Sequence, residues 1–245
     1  MNKAFAERLK LLKDFWGNSS GGAYFLPEEE YAHRKEHKKT QETGMPDILL
    51  QDAANLVRSF SVLFGSEPFS SFLRCGNLDE FKYDWVWEKS KASNFLLAKK
   101  QPLKAHELIS VFGKGRTPYY PIMEEGEPYG NRTKRGSNWT GINNVPNPTF
   151  RHENKGTRYP RSVIYFKTAE SEGKTIHVNQ KPIALLEYLI KTYTKEGDTV
   201  LDFASGSMST AIACIYTNRK CICIEKDETY FSQGEKRVRN EYQYL

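Results

Sequence analysis

The residues best placed to do chemistry lie in the C-terminal third of the chain. Thr199-Val200-Leu201-Asp202-Phe203 is a short apolar run ending in an acid, followed by a turn of small residues, Ala204-Ser205-Gly206-Ser207-Met208-Ser209-Thr210, that leads into Ala211-Ile212-Ala213-Cys214-Ile215. Such a turn at a helix N-terminus leaves backbone N–H groups free, and their partial positive charge favours an anion. A second apolar run, Lys220-Cys221-Ile222-Cys223-Ile224, ends in Glu225, 23 residues after Asp202. An acid at about that spacing, at the end of the next strand, suits the hydroxyls of a ribose. The pattern predicts a nucleoside-containing cofactor, the alternative being an ordinary βαβ unit without a ligand. The full G-x-G-x-x-G fingerprint is absent, which argues against a nicotinamide dinucleotide.

Other reactive residue types form no constellation. Cys75, Cys214, Cys221 and Cys223 are too few and too irregular for a disulfide framework, and no second pair stands at zinc-ligand spacing. Cys221 and Cys223 share one face of a strand and are expected as buried free thiols. His33, His37 and His106 show no ligand pattern, so no metal is assigned.

Positive charge is concentrated in one place. The chain of 245 residues carries 36 Lys and Arg against 30 Asp and Glu, a net charge of +6. Between Lys114 and Arg161 there are nine basic residues and four acidic ones, interleaved with Tyr119, Tyr120, Tyr129, Trp139, Phe150 and Tyr159. Gly, Pro and Asn are frequent there and no period is sustained, so residues 114–161 read as a loop-rich insertion. Cations that neutralise phosphate beside rings that stack on bases suit nucleic acid; a merely solvated loop is the alternative.

The elements that must hold these residues alternate between strands and helices. Ser59–Gly65, Tyr83–Lys89, Leu108–Phe112 and Ser162–Phe166 read as strands. A helix is predicted from Pro182 to near Gly197, with Ile183, Leu185, Leu186, Leu189, Ile190 and Tyr193 on its apolar face, and a polar helix from Asp227 onward. In the first 45 residues, Phe5, Leu9, Leu12 and Trp16 lie at helical spacing and predict an amphipathic helix. The run His33–Lys39 reads as a solvated helix face or an added phosphate contact. With no run near the roughly 20 apolar residues of a membrane span and no signal-peptide core, a soluble, cytoplasmic protein is expected.

Taken in series, the motifs resemble a known family. His177-Val178-Asn179-Gln180-Lys181-Pro182, Gly197–Ser207 and Ile224-Glu225-Lys226-Asp227 are similar to the C-terminal half of the DNA amino-methyltransferases of the permuted β type. Phe64–Phe69, Tyr83–Lys89 and Ala98–Glu107 extend the resemblance over about residues 60 to 232. It implies a Rossmann-like α/β methyltransferase sheet with an inserted, loop-rich DNA-recognition segment. The core would be residues 46–113 and 162–245, the recognition insert 114–161, and residues 1–45 an unassigned extension. It further implies S-adenosylmethionine as cofactor, with Asn179, Lys181, Asp202, Phe203, Ala204, Gly206 and Ser207 around it, Ser207 near its carboxylate and Glu225 on the ribose hydroxyls. Lys114, Arg116, Arg132, Lys134, Arg135, Arg151 and Arg158 would contact double-stranded DNA. A second copy of the chain and a restriction nuclease are the other partners implied, in a bacterial or phage-infected cell.

Two departures stand out. Met208 replaces the second glycine of the family's loop, at a point where the backbone can require an angle that Met disfavours. The family's catalytic tetrapeptide, Asp/Asn/Ser-Pro-Pro-aromatic, has no counterpart, since no Pro-Pro pair occurs in the sequence. In that motif the first residue accepts a hydrogen bond from the exocyclic amine, and the ring stacks on a base flipped from the duplex. The nearest segment, Asp52-Ala53-Ala54-Asn55, offers Asp52 as a remnant, with chance similarity as the other reading. The expected function is methyl transfer to an exocyclic amine of duplex DNA, adenine N6 first; the alternative is a degenerate relative that binds DNA without transferring methyl.

Overall fold

The computed structural model describes the backbone of residues 22–26 and, with side chains, residues 60–128 and 155–243. Asp52, Arg132, Lys134, Arg135, Arg151, the predicted helix over 5–16 and the run 33–39 lie outside the described residues. Two compact units are present, one made of residues up to Tyr120 and from Ser162 onward, the other running from Pro121 to Arg161.

The first unit is built on a mixed sheet of seven strands among the described residues. In chain order these are β1 (Gly22–Leu26), β2 (Phe60–Gly65), β3 (Phe81–Ser93), β4 (Lys104–Gly113), β7 (Val163–Phe166), β8 (Thr199–Asp202) and β9 (Lys220–Cys223). Across the sheet they run β7-β3-β4-β2-β1-β8-β9. The β3–β7 and β8–β9 pairs are parallel and the other four are antiparallel. The helices are α1 (Phe69–Cys75), α2 (Ile183–Tyr193), α3 (Ser209–Tyr216) and α4 (Glu228–Tyr242).

Side-chain alternation along the strands builds the core. Phe60, Val62 and Phe64 of β2, Trp85 and Trp87 of β3, and Ile109 and Val111 of β4 bury one face against Leu185, Leu186, Leu189, Ile190 and Tyr193 of α2 and Ala213 and Cys214 of α3. Leu63, Phe112 and Leu201 point the other way into a smaller cluster that includes Phe203 and Ile222. Each such fully buried side chain contributes about 1.5–3 kcal/mol of transfer free energy. The polar tips of Tyr193 and the two tryptophans are partnered: the Tyr193 hydroxyl accepts from Trp85 Nε1 at 2.6 Å and lies 3.0 Å from the Tyr83 hydroxyl, and Trp87 Nε1 donates to the Phe166 carbonyl. Burial pushes the Tyr193 hydroxyl far above its usual range, so it remains a neutral hydrogen-bonding group.

The helix predicted to reach Gly197 stops at Tyr193. Thr194 is extended, and Arg219 takes both its hydroxyl and its carbonyl, which replaces a further helical turn. At the other end, the Glu172 carboxylate accepts from the N–H groups of Ile183 and Ala184, so the first turn of α2 is already satisfied. In the second unit Glu124–Glu125 (β5) pairs antiparallel with Thr157–Arg158 (β6). Tyr120 donates its N–H to the Thr192 carbonyl, so Lys114 and Arg116 belong to the first unit.

Candidate functional site

The apolar run Thr199–Asp202 forms β8 because it is buried on both faces, and Asp202 at its end is buried with it. One carboxylate oxygen accepts from the Thr210 hydroxyl at 2.6 Å and the other from the Ala204 N–H at 3.2 Å. Burial raises the Asp202 pKa to about 6; the two hydrogen bonds pull it down and the nearby Glu225 charge pushes it up. The result is a carboxylate that any cationic group entering the site would relieve.

The loop after Asp202 is fastened from the neighbouring strand. Glu225 accepts from the N–H of Gly206 at 2.6 Å with one oxygen and from those of Lys226 and Asp227, both at 2.9 Å, with the other. A carboxylate has about four acceptor positions, so three are in use and one is left. Ser205 donates both its N–H and its hydroxyl to the Ile224 carbonyl. Gly206 has φ +49, and a Cβ there would sit 3.3 Å from the His177 ring, so a side chain at this position would be strained by angle and crowded by the ring. Met208 is left-handed, with φ 56 and ψ 31, at the position before α3. The angle that the sequence flagged is therefore present, and Met adopts it.

His177-Val178-Asn179-Gln180-Lys181 closes the site from the other side. His177 stacks edge-on against Tyr230 of α4, with centroids 4.5 Å apart. A small cavity is lined by Phe64, His177, Asn179, Gln180, Lys181, Leu186, Asp202, Ala204, Ser205, Gly206, Ser207, Ser209 and Thr210. Six of the eight residues expected at the cofactor, Asn179, Lys181, Asp202, Ala204, Gly206 and Ser207, thus meet around one space. Phe203 packs in the smaller apolar cluster and Glu225 fastens the loop through the Gly206 N–H; neither lines this cavity. A larger cleft of about 480 Å³ adjoins, sharing His177, Asn179, Gln180 and Lys181 and adding Trp87, Lys89, Glu107 and Thr168–Glu170.

Lys181 stands between the two spaces. Its ammonium donates to Glu107 at 2.9 Å, and Glu107 also pairs with Lys89 at 2.5 Å. The same ammonium lies over the rings of Phe64 and Trp87, 5.2 and 5.9 Å from their centroids. Burial lowers the Lys181 pKa, against the pull of Glu107. For Glu107 burial pushes upward, but the two lysines outweigh it and the carboxyl ends below its usual range.

Two contributors gave no local signal in the sequence. Arg237, one basic residue among several on the polar helix α4, donates to the Ser207 carbonyl at 3.1 Å and the Ser209 hydroxyl at 2.9 Å. Glu107 acts through partners far away in sequence. Cys221 and Cys223 are free thiols with sulfurs 3.5 Å apart; the Cys214 thiol and then burial raise the pKa of Cys221, against the pull of Cys223, while the Cys221 thiol and then burial raise that of Cys223. Of the expected DNA contacts, Lys114 and Arg116 are exposed on the first unit. In the second unit the Arg158 guanidinium is turned to the carbonyls of Thr157 and Glu127. No helix among the described residues is long and apolar enough to cross a membrane.

A loop of small residues between Asp202 at the end of β8 and Glu225 just past β9, closed by an Asn-Gln-Lys-Pro segment, sits on a Rossmann-like mixed α/β sheet. The sequence profile of the DNA methylase family matches residues 68–236, and the chain belongs to this family of adenine-N6 and cytosine-N4 methyltransferases. Over 169 residues it is 30% identical to DNA adenine methyltransferase YhdJ of Escherichia coli K12, covering 68% of this chain and 55% of that one. Over 66 residues it is 41% identical to the Type II methyltransferase M.BglI of Bacillus subtilis, covering 27% and 19%. The chain thus spans about half the length, or less, of these relatives. Its fold is that of M1.HpyAVI, whose crystal structure as a SAM complex matches with a TM-score of 0.52 at 23% identity, over 79% of this chain and 85% of that one.

Proposed function

We propose that the chain binds S-adenosylmethionine between Asp202, Gly206 and the 177–181 segment and acts on the exocyclic amine of a base in double-stranded DNA, adenine N6 first. The observation that carries the reading is the convergence of Asn179, Lys181, Asp202, Ala204, Gly206 and Ser207 on one cavity with a buried carboxylate. The adenine preference rests on the relative named as an adenine methyltransferase.

The residues fit the cofactor chemically. It carries a carboxylate, an ammonium, a sulfonium and a ribose diol, and when bound it supplies an electrophilic methyl group. Asp202 attracts the cationic part, and the Phe64 ring adds an apolar, quadrupolar wall. The open N–H groups at the start of α3, with Arg237 behind the Ser207 carbonyl, favour the carboxylate. The remaining acceptor position of Glu225 suits one ribose hydroxyl. The cleft of about 480 Å³ falls within the usual size of ligand sites and gives the base a place beside Trp87. Lys89, Glu107 and Lys181 fix the wall between the two spaces, so positioning supplies most of the effect. The basic residues of the 114–161 segment, as the recognition insert, would hold the duplex by its phosphates.

A second reading, a relative that binds DNA and cofactor without transfer, is favoured by two observations. No Pro-Pro pair occurs in the sequence. The strand beside β8 is β1, which pairs antiparallel, with Ala23 opposite Asp202 and Leu26 opposite Thr199. Its C-terminal end therefore lies away from Asp202. Incubation with tritiated S-adenosylmethionine and mixed-sequence unmethylated duplex separates the two. Label in N6-methyladenine supports transfer; calorimetric cofactor binding with no label in any base supports the second reading.

A further inference from the structure

The hairpin joining β3 to β4 carries the surface feature that the site does not use. Its root lies at the cleft, through Trp87, Lys89 and Glu107. Its tip is the single turn Phe95–Leu97, entered through a left-handed Asn94. Phe95 is 75% and Leu96 85% exposed, and Leu97 is also exposed. Single exposed apolar side chains are ordinary, but three in succession on a projecting turn form the kind of patch that marks an interaction site.

The charge around the tip is of one sign. From Lys89 to His106 the sequence has five lysines and no carboxylate. Lys99 and Lys100 follow the apolar turn after Ala98 and are exposed, as is Lys91 on the incoming strand. Lys91 is near Glu170, whose carboxyl is held down mainly by its own backbone N–H and Thr168, with Lys91 and Lys89 adding to it. Phe95 at the tip stands six positions after Lys89 at the cleft, a reach on the order of 20 Å at strand rise. A major groove is about 8.5 Å deep, so the tip can enter a duplex while the hairpin root stays at the cleft.

We propose that this tip is a DNA wedge: Lys99 and Lys100 engage phosphates, and Phe95 and Leu96 insert between base pairs. The inference rests on the reading that the chain binds duplex DNA. It adds to that reading a means of unstacking. A base cannot reach a cleft beside Trp87 from within the stack, and apolar side chains pushed into a base step provide the opening. An anionic membrane would share the charge but not the placement, because the hairpin rises from the wall of the cleft.

The test compares the intact chain with F95S/L96S and K99A/K100A. Affinity for a mixed-sequence duplex is followed by anisotropy over a salt series, and unstacking by permanganate reactivity of thymines. K99A/K100A is expected to reduce the slope of log K against log salt by about 1.8, two phosphates' worth. F95S/L96S is expected to keep the slope, lose affinity on the order of tenfold as stacked contacts do, and abolish the reactive thymines. Calorimetry with S-adenosylmethionine in the same preparations checks that the variants are folded. Wild-type affinity and thymine reactivity in F95S/L96S overturn the wedge while leaving DNA binding intact. Loss of binding to phosphatidylserine vesicles, with duplex affinity unchanged, reassigns the tip to a membrane and also overturns it. If the unaltered chain binds no duplex at low salt, the DNA-binding reading fails and the wedge with it.

Discussion

Met208 fills the notch that Gly234 leaves in α4. A Cβ at Gly234 would lie 2.7 Å from Met208 Cγ and 3.2 Å from its sulfur, while Met208 itself is buried and left-handed. A left-handed non-glycine residue costs on the order of 1 kcal/mol. Burying the thioether against the notch contributes about 1.5–3 kcal/mol and outweighs it. The loop glycine of the family can therefore be replaced here because a second glycine, 26 positions later, makes room for the side chain.

That relationship predicts strong coupling. Gly234→Ala should destabilise the fold by about 1–3 kcal/mol through overpacking, and most of the loss should return in Gly234→Ala/Met208→Ala. Urea midpoints of the wild type, the two single variants and the double variant check this. Simple additivity would mean that the two residues do not share the space.

Asp202 sets a pH dependence. Its carboxyl holds a proton up to about pH 6 in the fold, against roughly 3.9 in an unfolded chain, so the folded state binds more protons between those values. Its contribution to stability is thus fully present below about pH 4 and is lost as pH rises to 6, an amount on the order of 3 kcal/mol. Asp202→Asn should raise stability by about 1–3 kcal/mol at pH 8, change little at pH 4, and weaken S-adenosylmethionine at least tenfold at pH 8. Thermal melts and calorimetry at the two pH values measure both, and a variant with unchanged affinity contradicts the role of the charge.

The Lys89–Glu107–Lys181 chain predicts an unequal pair of losses. Glu107→Gln leaves the buried Lys181 ammonium without its anion and should cost about 3–5 kcal/mol. Lys181→Met leaves Glu107 still paired with Lys89 and should cost clearly less, while weakening the cofactor. Equal losses in denaturant titrations would show that the bridge does not operate as drawn.

How much of this was open to sequence reasoning depends on how local each signal is. Trp85 and Trp87 declared their strand by alternation, and α2 by its apolar spacing, because burial acts on every second or every third and fourth residue. The loop from Asp202 to Met208 was legible from small residues between two strand-end acids. Gly22–Leu26 was not, since five residues beside two glycines look like a turn, and pairing with β2 and β8 is settled by residues at the far end of the chain. The same holds for Glu107, whose meaning lies in Lys181, and for Arg237, indistinguishable from its neighbours on a charged helix until it meets the Ser207 carbonyl. The basic residues of the hairpin give no local signal because they are spread across a turn, whereas the 114–161 segment gathers its charge in one stretch.

The measurement that bears most directly on the central claim is a calorimetric titration with S-adenosylmethionine at pH 8, made on the unaltered chain and on Gly206→Val. Gly206 combines a left-handed backbone with close approach to His177, so a branched side chain there both strains the loop and enters the cavity. One equivalent bound by the unaltered chain, with affinity reduced at least tenfold in Gly206→Val, is the predicted result. No binding by the unaltered chain, or equal binding by both, would contradict the assignment of this loop as the cofactor site.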